Sequence, residues 1–374
     1  MLTKEGCKRR QARLQLAMQE HSWDMFVTAN FRTVYYFTGI LVSATTPAIF
    51  VLRQDGRSVA ISAAQTSESL CVDTLLTLET YSIERCITGP MRDAVSLLSD
   101  ALAPIEPPVR RCAVERSATP GIVDDAVEKR WSGVELADAS DTVLKLRKCK
   151  EPDEVDEIRR SLHYCATAYQ AARDTIAPGL TELDVYNAMY AAVVREAGTS
   201  IVFAGDFACG QRCVRSGGPP TRRKLESQDL YIIDLFPAEA LYIGDTCRTF
   251  AVGKPTGRQM EAWELVRQAL HLAEEAIRPG GSCREAYATI KTFLDSHEIA
   301  GKSFWHHLGH GIGHNGHEAP RIIPGSNDVF EVGDVIAVEP AIYSAGLNGG
   351  IRLENDYLVT SSGLERLFDF PLDL

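Results

Sequence analysis

The sequence has 374 residues, 45% of them hydrophobic, and a formal net charge of -11 at pH 7. A chain of this length can bury a substantial core and is expected to divide into two domains. Its negative charge argues against nucleic acid or an anionic membrane as a partner, because both require clustered Lys and Arg.

The N-terminal residues and the cysteines predict a compartment. The first 24 residues are charged throughout and lack the apolar core of a signal peptide or a membrane anchor. Ten cysteines are scattered without a regular framework, which predicts reduced thiols in a cytoplasmic protein. Cys209 and Cys213 lack the second pair that a zinc site needs, so we expect them to be structural thiols.

Residues 1–144 are predicted to form a smaller α/β domain without a catalytic cluster. The segment CKRRQARLQLAMQEHS has the apolar spacing of a helix, and DMFVTA has the composition of a buried strand. Asp55-Gly56 is typical of a hairpin turn between two further strands. Pro152, in a charged segment, is typical of a first helical position, so a second domain is predicted over residues 145–374.

The second domain contains an internal sequence repeat. IAPGLTELDVY begins at Ile176 and IRPGGSCREAY begins at Ile277, an offset of 101 residues. Each segment has Pro-Gly, then a Thr or Ser helix cap and an acid three residues later. In both cases a helix precedes the segment and strand-like sequence follows its second helix, so two similar halves are predicted.

Each half places two acids in apolar strands. Asp234 and Asp245 lie on a predicted hairpin that turns near residues 237–240, and Glu339 and Glu354 lie on a hairpin around residues 346–350. Ten residues separate the first pair and fourteen the second. In symmetric hairpins these even numbers place each pair directly opposite, with Cβ atoms about 5 Å apart.

These four acids require positive charge. A buried carboxylate without a partner costs several kcal/mol, and the neighbouring strands offer only Arg248 and Arg352. Four ion pairs are therefore a poorer explanation than two divalent metal ions, which neutralise four carboxylates completely. Strand alternation places Arg352 on the face of Glu354.

A glycine-rich segment supplies imidazoles. HHLGHGIGHNGHEAP, residues 306–320, contains five of the nine histidines. Its G-x-G-x-x-G spacing is not a dinucleotide fingerprint, because Pro320 and Pro324 forbid the long helix that must follow. Arg321 stands where the zinc-protease motif H-E-x-x-H needs histidine. We expect this loop to bring a histidine to the metals.

These residues resemble those of the pita-bread metallopeptidases, in the branch of the Xaa-Pro dipeptidases and aminopeptidase P. The resemblance is close over residues 145–370 and looser over the whole chain. Five positions carry it: Asp234 in IIDLF, Asp245 in GDTCRTF, His310 in GHGIG, Glu339 in VEPAIY and Glu354 in IRLEND. It implies an α+β protein, with a pita-bread domain of two pseudo-symmetric halves after a creatinase-like α/β N-terminal domain.

The resemblance also implies the role of each residue. Asp234 would bind one metal, Asp245 and Glu354 would bridge both, and His310 with Glu339 would complete the second site. Mn(II) or Co(II) is expected for such oxygen-rich ligands, with Zn(II) or Fe(II) as alternatives. Further roles are implied for three residues: substrate contacts for His306 and His317, and support of the site beside Glu354 for Arg352.

The implied activity is hydrolysis of a peptide bond in short peptides, as in an Xaa-Pro dipeptidase or aminopeptidase. A hydroxide bridging the two metals would attack the carbonyl, Glu339 would carry the proton to the leaving nitrogen and His317 would stabilise the oxyanion. The family commonly forms homodimers. His307 and His314 are interpreted as polar loop residues.

Two departures leave the substrate open. Ser216 and Gly217 stand where the family has a Pro-His pair that helps hold the substrate, and Cys247 stands where it usually has Thr. An alternative is therefore a hydrolase of another amide or amidine in a small metabolite, as creatinase and ectoine hydrolase are. A binding module that has lost catalysis is a third possibility, but such modules lose ligands and all five are present here.

Overall fold

The structure is a computed structural model that describes residues 1–63, 69–81, 83–84, 86–215 and 217–374. These residues form two compact units, Met1–Arg147 and Lys148–Leu374. The division falls close to the predicted start of the second domain at residue 145. Among the described residues, no helix has both the length and the apolar character needed to cross a membrane.

The first unit alternates helices and strands along the chain. Its elements are α1 (Lys4–Glu20), β1 (Met25–Thr28), α2 (Phe31–Thr38), β2 (Ala48–Arg53), β3 (Ser58–Ser62), β4 (Thr74–Thr77), α3 (Pro90–Leu102), β5 (Arg111–Val114), α4 (Gly121–Arg130), β6 (Glu135–Asp138) and α5 (Ser140–Lys148). The six strands form one mixed sheet in the order β4-β3-β2-β1-β5-β6.

Helices cover both faces of this sheet. Side chains along a strand alternate between the two faces, and both faces carry apolar residues that the helices bury. Val27 and Val51 belong to an apolar cluster with residues of α3 and α4. Phe26 and Phe50 belong to a second cluster with residues of α1 and α2. Burial of each such side chain stabilises the fold by about 1.5–3 kcal/mol, so the unit has its own core.

Two local predictions for the first unit are confirmed. The predicted helix forms as α1, and the hydroxyl of Thr3 caps it by accepting the Gly6 N–H at 3.0 Å, worth about 1 kcal/mol. The predicted hairpin forms between β2 and β3. Gly56 in its turn has φ +89°, a conformation that favours glycine.

The second unit contains the remaining elements. These are α6 (Pro152–Thr175), α7 (Glu182–Ala197), β7 (Val202–Cys209), β8 (Leu230–Glu239), β9 (Tyr242–Ile243), β10 (Thr246–Ala251), α8 (Gly257–Ala276), α9 (Cys283–Asp295), β11 (Gly309–Gly311), β12 (Glu318–Ile322), β13 (Val335–Val338), β14 (Ala341–Ser344), β15 (Gly349–Arg352), β16 (Asn355–Thr360) and β17 (Gly363–Arg366). Pro152 lies at the start of α6, as predicted.

The internal sequence repeat corresponds to two similar halves of the second unit. Each half has two helices followed by an antiparallel sheet, β10-β8-β7 in the first and β12-β11-β13-β16-β17 in the second. At matching points, the Gly179 N–H donates to the Leu225 carbonyl at 2.9 Å and the Gly280 N–H donates to the Phe330 carbonyl at 2.7 Å. The prediction of a repeated unit is confirmed.

The register of the aspartate hairpin, β8 to β10, differs from the prediction. Strand β8 continues to Glu239, and the chain turns at Ala240 and Leu241, with φ of 44° and 68°. Cys247 therefore pairs with Asp234, and Asp245 lies two residues earlier. The expectation that the two aspartates are directly opposite was wrong, because the turn is centred on Ala240 and Leu241 and not on residues 237–240. The sequence did not indicate this turn, since positive φ is normally signalled by Asn or Gly.

The register of the glutamate hairpin, β13 to β16, agrees with the prediction. Val338 pairs with Asn355 on one side of the two glutamates, and Ala341 pairs with Arg352 on the other. The same register places Glu339 and Glu354 at facing positions. Between them the strands are interrupted at Pro340 and Leu353, which belong to no strand.

Candidate metal centre

Buried acids and one histidine gather where the two hairpins meet. Each is at most 8% exposed, and they are Asp234, Asp245, Glu339, Glu354, Asp356 and His310. Backbone contacts hold the hairpins together, because the Glu354 N–H donates to the Cys247 carbonyl at 3.1 Å. The Arg352 N–H donates to the Thr249 hydroxyl at 3.0 Å.

In the described residues, three groups of side chains are close enough to share an ion, and one of them is His306, His307 and Glu339. In the other two, buried acids supply most of the ligand atoms. One ligand atom from each of Asp245, His310 and Glu354 lies within 4.8 Å of the other two. The same holds for Asp234, Cys247 and Glu354. Glu354 belongs to both groups, so its carboxylate lies between two adjacent positions that could each hold an ion.

Positive charge reaches only part of this cluster. Arg352, which strand alternation predicts on the face of Glu354, donates from Nη2 to Asp234 Oδ2 at 2.5 Å. The Arg248 guanidinium donates to backbone carbonyls and to Asn355. In the described parts of the chain, no Lys or Arg forms an ion pair with Asp245 or Glu354.

The electrostatic state of these acids reflects that shortage. Burial raises the pKa of Asp234 to about 6, although the Arg352 guanidinium acts to lower it. Burial, together with the neighbouring carboxylates, raises the pKa of Asp245 and of Glu354 well above the usual range. Asp234 Oδ1 and Glu354 Oε2 are buried without a hydrogen-bond partner. A buried carboxylate in this condition is unfavourable unless a cation neutralises it.

Asp356 is a further acid that the sequence analysis missed. It is fully buried, and its Oδ2 accepts the Asp245 N–H at 3.0 Å. Burial raises its pKa well above the usual range. Its spacing from Glu354, two residues along a strand, was the available signal, because such residues share a face.

His310 presents one ring nitrogen to the acids. Its Nδ1 lies 3.1 Å from the Gly311 carbonyl, which can only accept, so Nδ1 carries the proton. Nε2 then has a free lone pair, and it lies 3.5 Å from Glu339 Oε1 and 3.8 Å from Asp245 Oδ2. A ring fixed by a carbonyl in this way is the usual arrangement of a metal-binding histidine.

Glu339 lies among imidazoles. Although burial acts to raise it, the pKa of Glu339 is held well below its ordinary value by His307, His310 and Arg352. His307 Nδ1 is 3.0 Å from Glu339 Oε1. The interpretation of His307 as a polar loop residue does not describe this position, since the ring contacts the site directly.

His306 belongs to a chain of hydrogen bonds that ends at Arg352. Its Nδ1 donates to the His307 carbonyl at 2.6 Å, so Nε2 accepts from the Tyr343 hydroxyl at 3.0 Å. Tyr343 in turn accepts from Arg352 Nη1 at 3.3 Å. Burial lowers the pKa of His306 to about 4. Tyr343, which the sequence analysis did not single out, thus connects the pocket histidine to the cluster.

His317 lies at the accessible side of the centre. Its ring centroid is 4.0 Å from that of His310, and the residue is exposed. Burial of the ring and the adjacent His310 and His307 lower its pKa to about 4. The imidazole is therefore neutral at pH 7 and can donate a hydrogen bond.

Comparisons with known proteins identify the family of this chain. The sequence pattern of Metallopeptidase family M24 matches residues 156–361, and that of the Creatinase/Prolidase N-terminal domain matches residues 10–149. An Xaa-Pro dipeptidase from Pyrococcus furiosus is 32% identical over 255 residues, which is 68% of this chain and 72% of the relative. The chain belongs to metallopeptidase family M24.

Solved structures show the same fold over almost the whole length. The prolidase of Pyrococcus horikoshii has a TM-score of 0.82 at 24% identity, covering 98% of this chain and 99% of that one. The Xaa-Pro dipeptidase of Bacillus anthracis has a TM-score of 0.84 at 24% identity and the same coverage. The predicted fold, a creatinase-like N-terminal domain followed by a pita-bread domain, is confirmed.

One departure from the family pattern lies beside the metal centre of this M24 chain. Ser216 lies outside the described residues, but Gly217 is described. A Cβ at Gly217 would overlap the side chain of Asp206. Asp206 pairs with Asp234 across β7 and β8, and its Oδ2 is 4.0 Å from Arg352 Nη2. An additional carboxylate, that of Asp206, therefore stands at the edge of the site.

His314, also in the histidine-rich segment 306–320, packs inside the protein. His314 is 2% exposed, and its ring packs against that of Tyr242 in a tilted arrangement, with centroids 4.1 Å apart. Its Nδ1 donates to the Leu241 carbonyl at 3.1 Å. These contacts attach the histidine-rich loop to the turn of the aspartate hairpin.

Proposed function

We propose that the chain is a dinuclear metallopeptidase that cleaves short peptides, as an Xaa-Pro dipeptidase or aminopeptidase. The observation that carries this proposal is the shortage of positive charge among buried acids. Asp245 and Glu354 have no guanidinium or ammonium partner in the described residues, and Glu354 Oε2 has no hydrogen bond. Two divalent cations would supply the missing charge.

The residues present fit two adjacent ions. Asp234 would bind one ion, His310 and Glu339 would bind the other, and Asp245 and Glu354 would bridge the two. Mn(II) or Co(II) is proposed for this oxygen-rich set, with Zn(II) or Fe(II) as alternatives. Such ions lower the pKa of a coordinated water and polarise the scissile carbonyl.

Glu339 is proposed to move the proton. Its pKa is held well below the usual range by neighbouring imidazoles and Arg352, against the effect of burial, so the carboxylate is ionised and able to accept a proton from the attacking water. It would then donate that proton to the leaving nitrogen. His307, 3.0 Å from Glu339 Oε1, fixes the carboxylate in place.

The two histidines at the accessible side are proposed to contact the substrate. His317 is neutral at pH 7 because its pKa is about 4, and its ring N–H can stabilise the oxyanion. His306 would line the pocket, with its ring fixed by Tyr343 and by the His307 carbonyl. Arg352 keeps Asp234 ionised and oriented.

The substrate is proposed to be a short peptide, with proline after the scissile bond as the first candidate. The support is the name of the relatives, Xaa-Pro dipeptidase, at about 30% identity. Gly217 and Asp206 favour the second candidate, another small amide or amidine, because they alter the edge of the site. A cytoplasmic homodimer belongs to the same proposal.

A substrate panel tests the proposal. The protein, loaded with Mn(II), is assayed on Xaa-Pro dipeptides, the matching Xaa-Ala dipeptides and N-acyl amino acids. Turnover of dipeptides is expected, with the Xaa-Pro members highest. Turnover confined to N-acyl amino acids would replace the first candidate by the second, and absence of all turnover together with absence of bound metal would contradict the enzyme.

Variants assign the activity to this centre. Glu339→Gln is expected to lower kcat by about 10²–10⁴-fold, as for loss of a general base, and His317→Ala by about 10²–10³-fold, as for loss of an oxyanion donor. His271→Ala is the matched control, because His271 is an exposed residue of α8. Unchanged activity in either site variant would refute the role given to that residue.

A further inference from the structure

Cys247 stands inside the acidic cluster because of the hairpin register. The turn at Ala240 and Leu241 pairs Cys247 with Asp234. The Cys247 carbonyl accepts the Glu354 N–H at 3.1 Å, which brings the same residue against the second hairpin. Cys247 is fully buried.

The thiol has the position of a ligand. Cys247 Sγ and one oxygen each of Asp234 and Glu354 all lie within 4.8 Å of one another. Zinc binds a thiolate sulfur at about 2.3 Å and a carboxylate oxygen at about 2.0–2.2 Å, so ligand atoms on one ion lie within about 4.5 Å of each other. The observed limit of 4.8 Å is therefore close to the spacing that three ligands of one ion require.

A second observation points to an ion at this place. Asp234 Oδ1 and Glu354 Oε2 are buried oxygens without a hydrogen-bond partner, and they belong to the two acids that flank the thiol. Both residues are at least nine-tenths buried. Cys247 Sγ makes a long contact of 4.0 Å with the Arg248 carbonyl, and the Arg352 side chain, which donates to Asp234, is also close enough to interact with the thiol.

A packing role explains Cys213 better than it explains Cys247. Both belong to a small apolar cluster. The Cys213 thiol is engaged with the backbone, donating to the Gly210 carbonyl and accepting from the Gly350 N–H, each at 3.1 Å. The backbone contact of Cys247 Sγ is longer, at 4.0 Å to the Arg248 carbonyl, and the carboxylates of Asp234 and Glu354 lie beside this thiol.

We propose that Cys247 is a direct ligand of the metal ion held by Asp234 and Glu354. This inference rests on the dinuclear centre of the proposed function. As the sulfur–metal bond forms, the thiol proton is released to solvent, so no oxidant or reductant is involved. A soft thiolate in this half of the centre shifts its preference away from Mn(II) and towards Zn(II), Co(II) or Fe(II).

Cobalt spectroscopy tests this inference without an assay of activity. The metal-free full chain is titrated with Co(II) under nitrogen, with a phosphine reductant, and bound cobalt is measured by elemental analysis. A thiolate-to-cobalt charge-transfer band in the near ultraviolet is expected to saturate at one equivalent. Cys247→Thr and Cys247→Ser should keep the visible cobalt bands and lose the ultraviolet band, while Cys213→Ser keeps both.

The outcomes separate the two proposals. Bound cobalt with visible bands but no ultraviolet band in the unmodified protein would overturn Cys247 as a ligand and leave the metal centre standing. Absence of bound cobalt would overturn both. Competition of Zn(II) with Mn(II) is a second measurement: the preference for zinc should fall by at least about tenfold in Cys247→Thr, since even indirect supports of a ligand contribute 10–100-fold in affinity. An unchanged preference would count against the thiolate.

Discussion

The two hairpins that meet at the centre differ in how they achieve the same arrangement. The glutamate hairpin is symmetric, and its register places Glu339 opposite Glu354. The register of the aspartate hairpin is shifted by two residues, so that Asp234 faces Cys247. Asp245 therefore lies diagonally across from Asp234. The difference shows that four acids at matching places in two halves do not make a symmetric site.

The same comparison holds for the partners of the acids. One acid in each hairpin has a built-in partner: Asp234 has Arg352, and Glu339 has the imidazoles of His307 and His310. The other acid in each hairpin, Asp245 or Glu354, has no Lys or Arg partner in the described ranges, although the His310 ring also lies 3.8 Å from Asp245. These two are the residues proposed to bridge the metals, so the need for metal is concentrated on them.

Removing either unpartnered acid is expected to have the largest effect. Asp245→Asn and Glu354→Gln should each lower activity by more than about 100-fold, because loss of a direct ligand exceeds the effect of an indirect support. In excess chelator the same variants should be more stable than the unmodified chain by roughly 1–3 kcal/mol, since a buried unpaired carboxylate has been removed. A peptidase assay in Mn(II) measures the loss of activity, and urea unfolding with and without Mn(II) measures the change in stability.

The exposed residue Asp156 provides the control for these variants, as its side chain is 70% exposed. Asp156→Asn should leave activity and the metal-dependent gain in stability unchanged. For the unmodified chain that gain should be about 2.7 kcal/mol for each metal site at a metal concentration 100 times the Kd of that site. Chelator-treated variants that are less stable than the unmodified chain would show that the acids serve the fold rather than the metals.

The stability of the metal-free protein should depend on pH in a defined direction. Burial raises the pKa of Asp234 to about 6 and that of Asp356 well above its usual range, compared with about 3.9 in the unfolded chain. The native state therefore binds more protons than the unfolded state above about pH 4, and stability falls as pH rises. Glu339, with a lowered pKa, acts in the opposite direction but is a single group.

Asp356→Asn isolates one of these protons, because Asp356 is outside the proposed ligand set. In chelator between pH 4.5 and 7, the slope of stability against pH should be less negative in this variant, by up to about 1.4 kcal/mol per pH unit. Chemical denaturation at several pH values provides the comparison. Identical slopes in the two proteins would mean that Asp356 titrates normally in the folded state.

The acids were predictable, whereas the register of one hairpin was not. A charged residue inside IIDLF or VIAVE is conspicuous because apolar strands exclude it, and parity then gives the correct pairing for Glu339 and Glu354. Parity fails for Asp234 because Ala240 and Leu241 adopt positive φ without the Asn or Gly that signals such a turn.

Contacts between distant segments were also beyond the sequence. Arg352 shares a strand face with Glu354, but its partner Asp234 is 118 residues away and is chosen by the packing of one hairpin on the other. Within the histidine-rich loop, glycines and the absence of helix or long strand remove the periodicity that assigns side chains to faces. His307 and His314 therefore could not be distinguished, although His307 contacts Glu339 and His314 packs against Tyr242.

The smallest predicted effect concerns the edge of the aspartate hairpin. A methyl group at Gly217 would overlap the Asp206 side chain, so Gly217→Ala should displace that carboxylate from Arg352. We expect kcat/KM to fall by about tenfold, which corresponds to about 1.4 kcal/mol of transition-state stabilisation, mainly through KM and with unchanged metal content.

Gly257→Ala, where added atoms meet open space, is the matched control. In Asp206→Ala the carboxylate that Gly217→Ala would displace is absent. The double variant Asp206→Ala, Gly217→Ala should therefore have the same kcat/KM as Asp206→Ala alone. If the two substitutions instead add independently, Gly217 does not act through Asp206, and the glycine at this position has no bearing on how the substrate is held.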